Sequence, residues 1–159
     1  MSRTRTVSGV IATAALVLLF GNQAVTEWVA NHYPDANSSV WSWFLHQLTW
    51  PAWAFGPRND SAGAGRQVLA DDLRALLLIA FVAALLAMVA SSVNSGAGGF
   101  IVGWASLIFG SALAAFLTAF ILSNPTFLNA LQQAGTASAY GLFVGWIVGI
   151  ATAGKKKDG

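Results

Sequence analysis

The chain has 159 residues, 56% of them hydrophobic and 9% charged, with a mean hydropathy of +0.63; this excludes a soluble domain of that size and marks an integral membrane protein. It contains no cysteine, which excludes disulfides, thiolate nucleophiles and cysteine metal sites. The net charge of +2 comes mainly from two short basic ends, Arg3 with Arg5 and Lys155 to Lys157, which read as topology signals and not as a nucleic-acid footprint.

Charge is also segregated along the chain. From Ala75 to Gly154 there is no Asp, Glu, Lys, Arg or His. Four apolar stretches predict an all-α polytopic protein, a single membrane domain over residues 1–159 with four transmembrane helices in a bundle.

The first stretch begins with Arg3, Arg5 and the apolar run Val7 to Phe20, the layout of a secretory signal peptide. Cleavage after Ala24 would put Asn22 at the minus-three position, where a small residue is wanted, so a retained first span over residues 7–28 is expected. Its outer end is polar, with Asn22 and Thr26 on one face and Gln23 and Glu27 on another.

Residues 30–70 form the only sizeable non-spanning region and are rich in aromatics. Asn37 or Ser38 is placed to cap a short helix from Ser39 to Thr49, in which Trp41, Phe44, Leu45 and Leu48 recur at helical spacing on one face. Trp50-Pro51 ends it, because proline disfavours helical geometry in the residue before it. This amphipathic helix reads either as a lid lying flat on the membrane or as an exposed patch for a protein partner, a lipid or a quinone, with Trp41, Phe44, Leu48, Trp50 and Trp53 as the contact residues. Asn59 to Gly65 reads as an exposed loop.

The second span is expected over residues 72–93, with Asp71 and Asp72 in its first turn, where carboxylates suit the positive end of the helix dipole. Asn94 to Gly99 is a tight uncharged turn leading to a third span over residues 100–122. That span carries a small-residue row, Ser106, Gly110, Ala114 and Thr118. Asn124-Pro125 looks like a cap with proline in the first turn, and the fourth span, about residues 135–153, is free to begin anywhere from Pro125 to Ala137.

The fourth span holds the most regular pattern in the chain. Gly141, Gly145 and Gly149 recur every four residues, with Ala137 and Ala153 extending the row. Such a stripe permits the close backbone approach on which helix association in hydrocarbon relies. The row is read as bundle packing, self-association or docking on a larger membrane partner, with the third span as the expected intramolecular neighbour through its own small-residue row. Trp28 and Tyr140 fit an outer aromatic belt and Trp104 an inner one; Trp146 is expected to pack against a helix.

Both termini share a side in a four-span protein, and their basic residues assign them to the cytoplasm, leaving the long loop extracytoplasmic. His32 and His46, with Glu27 and Asp35, match no metal-ligand spacing, and no Gly-x-Ser-x-Gly elbow is present; no metal, cofactor or catalytic residue is assigned. The leading expectation is a non-enzymatic accessory subunit of a larger bacterial inner-membrane complex, such as a lipid transporter or respiratory complex. It would contact membrane lipid and no nucleic acid. A small homo-oligomeric channel or carrier, and a lipid-directed enzyme relying on His32 or His46, are the alternatives.

Overall fold

The computed structural model describes residues 2–56, 63–93, 95–122 and 126–154, with side chains from residue 4 onward. Residues 59–62 of the expected loop, the Asn94 turn residue, the Asn124-Pro125 cap, Arg58, the Arg3 side chain and Lys155 to Lys157 lie outside the described side chains or residues, while Ala64 and Gly65 of that loop are helical. Among the described residues the chain is all-helical: α1 (Ser2–Phe20), α2 (Gln23–His32), α3 (Val40–Leu48), α4 (Ala64–Val89) with a 3-10 turn (Ala90–Ser92), α5 (Gly96–Ala119) and α6 (Phe127–Ala153). Three segments are long and apolar enough to cross a membrane, residues 64–92, α5 and α6, while α1 and α2 form a pair bent by 56° at residues 21–22. In hydrocarbon a backbone must satisfy its own polar groups, and helices do so within one segment.

The antiparallel pair of α5 and α6 is the most extensive contact in the bundle; α4 packs on α5, and α1 lies across α4 and α6. The interior of α5 is built mostly from small residues, Gly99, Gly103, Ser106, Gly110, Ala114 and Thr118, with Leu107 the one large residue buried among them, while Ile101, Phe109, Leu113 and Leu117 face outward. A water-soluble core has the opposite arrangement. Lipid is as apolar as leucine, so what gains from being inside is close backbone approach, and small residues allow it.

Glycine makes that approach possible at identifiable points. A Cβ on Gly141 would lie 2.3 Å from Ile108 Cα, one on Gly145 would lie 2.6 Å from Trp104 Cδ1, and one on Gly149 would lie 2.9 Å from Phe100 O. The glycine face of α6 therefore meets α5 along Phe100, Trp104 and Leu107-Ile108. Two members of the expected counterpart row meet α4 instead: Gly110 approaches Val82, and Thr118 meets Arg74. The reason is that α5 is a shared wall, with one small-residue face for each neighbour. Ala153, the last residue of the row, is half-buried, and its Cα lies 3.3 Å from where a Cβ on Gly99 would sit.

Several hydroxyls buried in the spans bond to carbonyls one turn back on their own helices. Thr13 Oγ1 donates to Gly9 O at 2.9 Å and Ser111 Oγ to Ile108 O at 2.9 Å; Thr152 Oγ1 is within bonding distance of its own turn and of Gly99 O at 2.7 Å on α5. Trp104 donates its indole N–H to Leu142 O at 2.9 Å, a second cross-link between α5 and α6. At the same end of the bundle, Arg5 donates to Val93 O at 2.5 Å, tying the start of α1 to the end of the 3-10 turn.

Several element boundaries differ from the sequence reading. α4 begins at Ala64, about two turns before the expected start at Asp71 or Asp72, so those carboxylates are not in a first turn and serve side-chain and strap contacts instead. α6 is continuous from Phe127, and its cap is Thr126, whose hydroxyl accepts from Asn129 N at 3.1 Å. α3 is capped by Ser39, which accepts from Ser42 N at 3.0 Å. The expected cap Ser38 is occupied in a preceding turn, donating to Asp35 O at 2.8 Å, where Asp35 Oδ1 also accepts from Asn37 N.

Candidate functional site at the break of the first helix

Gly21 and Asn22 interrupt what the sequence suggested was one continuous span. Asn22 caps both pieces: its amide donates to Leu18 O at 3.3 Å and Leu19 O at 2.7 Å, and its Oδ1 accepts from Val25 N at 3.0 Å. A single side chain thus closes the end of α1 and opens α2. Gly21 is required by proximity, since a Cβ there would lie 2.3 Å from Pro51 O.

The segment from Trp50 to Ala54 is a strap laid over this break. Trp53 N donates to Gly21 O at 2.8 Å, and the Trp53 indole N–H donates to Val17 O at 3.0 Å. Ala54 N donates to Asp72 Oδ1 at 2.9 Å, which ties the strap to α4 as well. The carbonyls of Val17, Leu18, Leu19 and Gly21 are all taken, so these four are not left free to coordinate an ion as carbonyls of a broken transporter helix do.

Beneath the strap lies a charged group within the bundle. The Arg74 guanidinium donates from Nε to Thr118 Oγ1 at 3.2 Å and from Nη1 to Asp71 Oδ1 at 3.1 Å, and sits 5.5 Å from the centroid of the Trp50 ring. Thr118 in turn donates to Ala114 O at 2.9 Å, so its hydroxyl both accepts and donates. Trp50 also contacts Tyr140, with ring centroids 5.2 Å apart. A buried guanidinium is tolerable when its donors are satisfied and an aromatic face shields it. Sequence reasoning missed this cluster, because a pair 44 residues apart leaves no local signature.

Tyr140 is fully buried and therefore is not part of an outer belt; its hydroxyl is without a hydrogen-bond partner among the described residues. Trp146, expected against a helix, is exposed on the outer face of α6. The contact residues expected on the aromatic loop separate into two groups. Trp41 is exposed, whereas Leu48 lies in the core and Phe44, Trp50 and Trp53 are half-buried against it. Leu48 has no outward surface because α3 closes onto α6, where Trp43 meets Phe143 edge to face at 4.5 Å.

Beside the strap the bend opens a groove of about 550 Å³. Leu18 and Trp53 form its apolar walls, Phe55 its rim, and Asn22, Gln23 and Glu27 its polar side. Gln23 donates to Glu27 Oε1 at 2.7 Å. His32 and His46 are not brought to this groove. His32 Nδ1 bonds Trp28 O at 3.0 Å and stacks on that tryptophan, and His46 Nδ1 bonds Ser42 O at 2.9 Å. Each carbonyl can only accept, so Nδ1 carries the proton in both rings.

No family model, no curated protein and no solved structure matches the chain.

Proposed function

We propose that the chain is a non-enzymatic accessory or assembly subunit of a larger bacterial inner-membrane complex. In this reading it crosses the membrane four times, with α1 and α2 counting as one broken span, both termini cytoplasmic and the α2–α3 region with its strap outside. The single observation that carries the proposal is the exposure of Val40 and Trp41, at 85% and 58%, on a cap whose Trp50 and Trp53 pack against the core. An aliphatic and an indole side by side at the start of a short polar-capped helix are unfavourable in water and form an anchor of the kind that partners bury.

Two features of the bundle support assigning contact to the cap and not to the glycine row. The row is occupied by α5, and the second small-residue face of α5 is occupied by α4. Neither is left for a second copy of the chain or for a large partner. The partner is accordingly an integral membrane protein with an extracytoplasmic ledge that meets α3 from above.

Mild-detergent purification from the native host, with mass spectrometry of whatever co-elutes at defined stoichiometry, tests the reading. A reproducible membrane partner, released by Trp41→Ala while the subunit itself stays folded, is the expected result. A chain that elutes alone in repeated preparations overturns it.

A further inference from the structure

We propose that the groove at the α1–α2 break binds the ammonium headgroup of a zwitterionic phospholipid, with one acyl chain lying along the outer face of α1. Among the described residues Glu27 is the only charged one lining the groove, and its Oε2 has no hydrogen bond there, while Oε1 takes the Gln23 amide. A carboxylate with one free oxygen selects a cation and rejects an anionic headgroup. Opposite it, the Trp53 and Phe55 rings meet at 87° with centroids 5.2 Å apart, a corner of two π systems of the kind that holds ammonium groups. The groove goes beyond the proposed partner contact, since it lies at the bend and not on the Val40-Trp41 surface.

The choice of a lipid over a free amine rests on α1 below the groove. Leu18 forms the lower wall, and Val7 and Ile11 are exposed with it. At 100° per residue these three positions fall on one narrow stripe, and the stripe runs about 16 Å along the helix at its usual rise, a length suited to much of an acyl chain. The polar mouth and the apolar stripe are thus joined end to end at Leu18, as the two parts of a phospholipid are.

Full-length protein, delipidated in detergent, is titrated with phosphatidylethanolamine or phosphatidylglycerol and the bound lipid counted by native mass spectrometry. Ethanolamine lipid is expected to be retained roughly tenfold more strongly than glycerol lipid, and Glu27→Gln is expected to bring the two within about twofold. Phe55→Ala is expected to weaken ethanolamine-lipid binding about fivefold with the melting temperature unchanged, because that ring is 94% exposed. Equal retention of both lipids by the unaltered protein, or unchanged selectivity in Glu27→Gln together with unchanged affinity in Phe55→Ala, overturns the proposal. Displacement of the lipid by free ethanolamine at equal concentration overturns the lipid assignment in favour of a soluble amine.

Discussion

Trp53 donates its indole N–H to the carbonyl of Val17 at 3.0 Å, across 36 residues of sequence, and its backbone N–H to Gly21 O at 2.8 Å. One residue of the strap thereby holds both sides of the place where α1 ends. Val17 O also accepts from Gly21 N at 2.9 Å, so losing the indole bond does not orphan that carbonyl. Trp53→Phe should therefore cost only about 1 kcal/mol, the net value of one hydrogen bond, whereas Trp53→Ala, which also vacates a half-buried ring, should cost about 3 kcal/mol. Thermal unfolding in detergent measures both, and an unchanged midpoint in Trp53→Phe would mean that the indole bond contributes nothing.

The glycine row of α6 offers a ranked series. A Cβ on Gly141 meets the backbone of Ile108, which cannot swing away; one on Gly145 meets first the edge of the Trp104 ring; one on Gly135 meets nothing. Gly141→Ala should destabilise the α5–α6 pair by about 2–3 kcal/mol and Gly145→Ala by less, since a side chain yields more readily than a backbone. Gly135→Ala should be neutral or stabilising by up to about 1 kcal/mol, through helix propensity alone. Melting temperatures of the three variants give the order, and a Gly135→Ala loss equal to that of Gly141→Ala would show that proximity to α5 does not govern the effect.

What the sequence disclosed and what it concealed divide along physical lines. The α3 helix was legible because amphipathic spacing is a local signal: Leu48 at the end of the Trp41, Phe44, Leu45 series is the residue that reaches the core. The same spacing does not say whether a face covers its own bundle or meets a partner, so Leu48 was expected outside. The break in α1 had a signal, glycine followed by an asparagine able to cap, but hydropathy averaged over the stretch obscures a single pair. The start of α4 was misjudged for a related reason. Hydropathy marks where a helix enters lipid, whereas the helix itself begins two turns earlier, outside the apolar stretch. The strap, and the pairing of Arg74 with Thr118, depend on contacts between distant segments and had no sequence signature at all.

Arg74 provides a test of geometry as distinct from charge. Its Nε reaches Thr118, its Nη1 reaches Asp71, and its plane lies over Trp50. Lysine retains the charge but has no fork and no Nε, so Arg74→Lys should lose the Thr118 bond and part of the contact with the ring, about 1–2 kcal/mol in all. Arg74→Met removes the charge that neutralises Asp71 within the bundle and should cost more, about 3 kcal/mol. Thr118→Val in the Arg74→Lys background separates the terms: if lysine has already lost that bond, the second change should add less than it does in the unaltered protein. Full additivity, read from unfolding midpoints, would show that Thr118 and Arg74 are not coupled.

Tyr140 is fully buried between Trp50 and the core of α6, and its hydroxyl meets no donor or acceptor among the described residues. An unpartnered hydroxyl in an apolar interior costs about 1–3 kcal/mol, while the ring itself contributes packing that phenylalanine would keep. The Trp50 ring contact is made by the aromatic face and not by the oxygen, so it survives the change. Tyr140→Phe should thus leave the protein as stable as before or raise its stability by about 1–2 kcal/mol, with a melting temperature that does not fall. A clear drop would mean that the hydroxyl does have a partner in the folded protein, for which a water enclosed under the strap is the physical candidate. Combining Tyr140→Phe with Trp50→Phe distinguishes the two cases. Trp50→Phe shrinks the roof over the hydroxyl, so the Tyr140→Phe effect should change sign or size if water is held there, and should stay the same if the site is dry.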